Sequence, residues 1–194
     1  MKACMPFRTF ILCLLLALPV GNAMADEDDA KFSKTINVFK QAGESGRFFD
    51  NSYGYAVFPT IGKGGFFVGG AYGKGRVYAA GNVTGDTTMT QLSVGFQLGG
   101  QAYSQIIFFE DRRAYDEFTG GNFEFSADAS AVAVTAGATA SAGTSGSAAG
   151  ASGGQHNATT RGNYYRGMAT FVVTKGGLMY EAVLAGQKFS YTPR

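Results

Sequence analysis

Catalytic and metal-binding parts are scarce in this chain. Its two cysteines, Cys4 and Cys13, both lie near the start, and His156 is the single histidine in 194 residues. With no cysteine after position 13, the body of the chain has no disulfide, thiol nucleophile or thiolate metal ligand. One histidine, placed beside Gln155 and Asn157 with no acidic neighbour, leaves the usual zinc sites and the Cys-His and Ser-His arrangements short of parts. Long apolar runs are also few. The stretch 10–20 holds about a dozen apolar residues where a spanning helix needs about 20.

That stretch reads instead as part of a leader. Lys2 and Arg8 supply a positive start, 10–20 the apolar segment and Ala23-Met24-Ala25 a small-residue cleavage site, so 1–25 is expected to be a signal peptide and the mature chain to begin at Asp26. Removing it takes two basic residues and no acidic ones, which leaves 14 of each sign. The basic surplus of a nucleic-acid binder is therefore missing. The remaining 169 residues suffice for one domain folding on its core alone.

What the chain has in quantity is glycine, 29 residues, together with 17 phenylalanines and 10 tyrosines. Gly62-Lys63-Gly64-Gly65 and Gly69-Gly70-Ala71-Tyr72-Gly73-Lys74-Gly75 form the densest block. At period two, Phe66, Val68, Gly70 and Tyr72 share one strand face, and Gly69, Ala71, Gly73 and Gly75 the other. A glycine row in a strand marks a bulge, a bend or the close approach of another element. Phosphate-cradle motifs fail on counting. Val57 and Val68 stand where Walker A requires glycine, and Phe67 and Tyr78 occupy the last glycine of the dinucleotide pattern.

The pattern predicts a helix over 26–46, with Phe32, Ile36 and Phe39 forming its apolar stripe. Strands are predicted at 55–58, 65–72, 76–80, 90–98 and 102–109, separated by glycine-rich turns and paired as antiparallel neighbours. Asp111 is placed to cap a short helix over 112–119, whose acids Asp116 and Glu117, like Glu110-Asp111, are explained by capping and solubility rather than by paired-acid catalysis. Further strands are expected at 122–126, 129–134, 167–174 and 178–185, the last two as a hairpin. Residues 135–154, drawn only from Ala, Gly, Ser and Thr, are expected to form a loop within a longer low-complexity stretch, 135–162. The fold class is α+β: a single domain (48–194, preceded by the helix at 26–47) on a mostly antiparallel, glycine-rich, strongly curved or barrel-like sheet with a short covering helix.

Several blocks occur in an order that resembles the SYLF, or Ysc84, family. They are Gly54-Tyr55-Ala56-Val57-Phe58-Pro59 leading to Lys63-Gly64-Gly65-Phe66, then Val68-Gly69-Gly70, Tyr72-Gly73-Lys74-Gly75 and Gly95-Phe96-Gln97-Leu98-Gly99-Gly100-Gln101. Ile106-Ile107-Phe108-Phe109, Phe125-Ser126-Ala127-Asp128-Ala129-Ser130 and Gly177-Leu178-Met179-Tyr180-Glu181 continue the series. The resemblance implies a non-enzymatic module without cofactor, metal or nucleotide that binds an anionic phospholipid or membrane surface. Phosphoinositide and actin binding are described among eukaryotic members. It puts Lys63 first among the headgroup contacts, with Lys74, Arg76, Arg112 and Arg113 as further basic candidates. Export implies a periplasmic or secreted protein, peripherally attached to the envelope. Two other readings remain: a small outer-membrane barrel of eight short strands, and a structural or interaction protein of the envelope.

Overall fold

Tertiary structure starts from strands that must bury both faces. The computed structural model describes residues 21–65, 68–94, 101–126, 129, 131–133, 163–175, 184 and 186–194. Helices α1 (Gly21–Gln41), α2 (Gly43–Gly46) and α3 (Phe48–Asn51) precede strands β1 (Gly54–Gly65), β2 (Val68–Ala79), β3 (Asn82–Val94) and β4 (Gln101–Phe109). Helix α4 (Arg112–Thr119) follows, then β5 (Phe123–Glu124), β6 (Val132–Ala133), β7 (Met168–Lys175) and β8 (Gln187–Pro193). The strands form one sheet in the order β5-β8-β3-β2-β1-β4-β7-β6, antiparallel except for the β6–β7 pair.

Ile106 to Phe109 is apolar at every position, so both of its faces need cover. β4 accordingly lies between β1 and β7 rather than beside β3, where the predicted hairpin puts it. Even-numbered Ile106 and Phe108 join Phe32 and Phe39 of α1, Phe48 of α3, Val57, Phe171 and Val173 in a core outside the sheet. Odd-numbered Ile107 and Phe109 join Phe58, Ile61, Val77, Met89, Val172, Phe189 and the buried face of α4 in a core inside it.

The sheet is strongly curled. β8 and β4 are four strand spacings apart, about 19 Å if the sheet were flat, yet Gln105 Nε2 on β4 donates to Gln187 Oε1 on β8 at 3.0 Å. The rings of Phe58 on β1 and Phe189 on β8 are 5.6 Å apart. The result is a half-barrel with helices α1–α3 on its outer face and α4 packed against β8, β4 and β5.

The glycine row faces inward, and its partner is the neighbouring strand. β1 shifts register between Val57 and Thr60, and this bulge carries Phe58 and Ile61 over β2. A Cβ on Gly75 would stand 2.6 Å from the Phe58 ring, and one on Gly73 2.6 Å from Ile61 Cγ1. Gly73-Lys74-Gly75 is thus continuous strand where the sequence pattern suggested a turn between 65–72 and 76–80. Gly85, within the glycine-rich turn expected between 76–80 and 90–98, lies likewise inside β3 beneath Tyr191. The break expected at Gly81-Asn82 falls one residue earlier, as a turn at Ala80-Gly81 with positive φ at both residues. Helix α4 is as expected, and Asp111 Oδ1 accepts there from Ala114 N at 2.8 Å. The predicted helix over 26–46 ends at Gln41 in α1, with the separate turn α2 beyond it. The 178–185 half of the predicted closing hairpin falls largely outside the described residues, as do 135–154 and His156, and β8 is an element the pattern did not suggest.

Candidate functional site

Strand register decides where each expected basic side chain points. Lys63 is paired with Ala71, an inner-core residue, so it stands on the inner face, half-buried. Lys74 pairs with Thr60 and is exposed on the outer face. Arg76, two residues on, is on the same outer face but buried beneath α1. Its guanidinium lies over the Phe32 ring at 4.3 Å, donates to Asp29 and approaches Asp86 at 3.8 Å. That side chain fastens α1 to the sheet.

Arg112 and Arg113 begin α4, beyond the far end of β4. Gln101 pairs with Lys63, and the eight steps from there to Phe109 span about 26 Å. Both arginines are exposed and each faces a carboxylate one helical turn on, Arg112 with Asp116 at 3.5 Å and Arg113 with Glu117 at 3.3 Å. The five candidates therefore do not share a surface. Lys63 and Lys74 lie on opposite faces of the sheet, Arg76 is engaged in packing, and the arginine pair is at the other end.

A different group assembles around Lys74. Thr60, its cross-strand partner, accepts from Lys175 Nζ at 2.8 Å, and Lys175 reaches it from β7 across β4. Burial, and then the nearby Lys34 charge of α1, hold the Lys175 ammonium below its ordinary pKa. Among the described residues none of these three lysines forms an ion pair. Beside them no described residue covers the outer face. Gly62 and Gly64 have nothing within 4 Å of a built Cβ, Tyr72 is 50% exposed and Leu92 86%. Tyr72 pairs with Thr90 and Leu92 with Gly70, which makes the two large side chains diagonal neighbours on one face.

The sequence signal for part of this group is the period-two alternation that puts Tyr72 with Gly70. Lys34 and Lys175 come from a helix and a strand distant in sequence, and only the curl of the chain brings them near. Among the described residues no three His, Cys, Asp or Glu side chains gather as metal ligands, and no helix is long and apolar enough to cross a membrane. Lysines, hydroxyls and exposed apolar side chains suit binding to an anionic, partly apolar surface.

Comparison with known proteins places the chain. It is 28% identical over 171 residues to beta cell expansion factor A of Aeromonas veronii, an alignment that covers 87% of this chain and 54% of that protein. The chain thus spans about half the length of the curated relative it matches. The sequence profile of the family described as "Ysc84: Las17-binding protein actin regulator" matches residues 90–191, more than half of the chain. With that match over more than half of its length, the protein belongs to the SYLF, or Ysc84, family.

Proposed function

We propose that this protein is an exported, non-enzymatic module that docks on anionic phospholipid surfaces through the uncovered outer face of its sheet. The observation that carries the reading is that Leu92 and Tyr72 are exposed as diagonal neighbours on one face, with Lys74 two residues beyond Tyr72 and Lys175, near Lys34, reaching Thr60 opposite Lys74. An apolar residue left 86% exposed on a strand gains free energy by entering the acyl boundary of a bilayer. Each lysine near an anionic surface adds about 1 kcal/mol at physiological salt. Among the basic residues expected from sequence, Lys74 keeps this role. Arg76 serves packing, and Lys63 faces inward.

A spanning barrel is the reverse of this arrangement, since it is apolar outside and polar within. Here the inside carries the larger apolar core, and part of the outside is covered by helices. Export is supported by the leader pattern at 1–25. The side-chain contacts of Asp29 and Phe32 with the sheet lie downstream of the expected cleavage, so the mature protein would keep them.

Co-sedimentation with phosphatidylglycerol vesicles tests the binding, using the protein as the cell processes it. Binding is expected at low salt, weaker on phosphatidylcholine and weakened further by Lys74→Glu. Equal partition onto both lipids, or none onto either, contradicts the reading. Intact mass of the same sample checks export, with Asp26 expected at the N-terminus.

A further inference from the structure

The inner face toward the mouth of the half-barrel carries polar side chains among its apolar ones. One row of inner-face positions runs across neighbouring strands as Gln187, Gln91, Ala71 and Lys63. In that row Gln187 is 1% exposed, and just below it Gln105 is fully buried and Tyr103 3% exposed. Gln105 Nε2 donates to Gln187 Oε1 at 3.0 Å, and Gln187 Nε2 donates to the Tyr103 hydroxyl at 3.3 Å. The relay stops there. Gln105 Oε1 has no partner among the described residues, and the Tyr103 O–H has no acceptor among them. Turning both amides over reverses the relay and still leaves one amide atom of Gln105 unused.

A buried acceptor and a nearby buried donor, both unspent, fit one group that accepts from Tyr103 and donates to Gln105, which is the chemistry of a hydroxyl. Burial pushes the Tyr103 phenol up, so it keeps its proton as a donor. Accessibility rises toward the strand ends, from Tyr103 to Ala71 and Gln91 at 7% and then to half-buried Lys63, which is diagonal to Tyr103 on the same face. We propose that this mouth is a binding site for a small hydroxylated anion, with its hydroxyl between Tyr103 and Gln105 and its charged end toward Lys63. The site lies on the opposite face of the sheet from Leu92 and stands independently of the membrane reading.

The test is a titration of the side-chain amide NMR signals of Gln105 and Gln187 with glycerol 3-phosphate, glycerol and inorganic phosphate. Glycerol 3-phosphate is expected to move both signals, and glycerol to do so with affinity at least about tenfold weaker. Lys63→Gln brings the two affinities together, and Tyr103→Phe, which removes only the hydroxyl, weakens both. An unchanged circular dichroism spectrum shows that Tyr103→Phe and Lys63→Gln keep the fold. Three results overturn the proposal: no movement with any probe, equal movement with phosphate alone, or unchanged binding in Tyr103→Phe. A crystal structure showing only water, or a loop side chain, between Tyr103 and Gln105 also overturns it.

Discussion

Arg76 shows how burial redirects a basic residue. Two positions from exposed Lys74 and on the same face, it is held beneath α1 by Phe32, Asp29 and Asp86. Arg76→Ala should lower unfolding stability by roughly 1 to 3 kcal/mol, through lost stacking and packing more than through its half-exposed partners. The folded fraction should still bind vesicles, and chemical denaturation alongside co-sedimentation separates the two effects. Lys175 predicts the opposite pattern. Because folding lowers its pKa, the folded state is penalised at neutral pH, and the penalty lifts as pH rises from the folded pKa through the ordinary value of 10.5. Lys175→Met should therefore leave stability equal or higher while weakening vesicle binding, which the same two measurements read. Neither behaviour was legible in the sequence, where Arg76 and Lys74 look alike and Lys175 looks like part of a turn.

At the scale of elements, the bulge in β1 explains why β2 is rich in glycine. Gly75→Ala puts a methyl into the Phe58 ring and against Val57 O and should cost roughly 1 to 3 kcal/mol. Gly62→Ala, on the open outer face, should change stability by less than about 0.5 kcal/mol, as differential scanning calorimetry would show. The same glycines account for what the pattern obscured. Period two, capping and turn chemistry suffice for β4, α4, β7 and the Ala80-Gly81 turn, because those signals are local. Gly73, Gly75 and Gly85 imitate turns because their bareness answers side chains on other strands, Ile61, Phe58 and Tyr191, which a linear reading cannot place. Strand order escaped for a related reason: β4 pairs with β1 to cover two apolar faces, a demand of packing rather than of connection length.

For the molecule as a whole, the half-barrel divides its labour by face. The inside is a core with a polar mouth, and among the described residues the outside is covered in part by helices and in part open. The open part carries Leu92 and Tyr72, with Lys74 two residues beyond Tyr72 and Lys175 reaching Thr60, the cross-strand partner of Lys74, lysines that form no ion pair among the described residues. Because the chain has no tryptophan, a single introduced indole reports its own surroundings. The most direct measurement is the fluorescence of Leu92→Trp on phosphatidylglycerol vesicles, with Tyr53→Trp, at an exposed position near α4, as the control. The account predicts a blue-shifted emission quenched by brominated acyl chains for Leu92→Trp and no change for Tyr53→Trp. Vesicle binding with an unshifted Leu92→Trp emission, or with the shift at Tyr53→Trp instead, would contradict it.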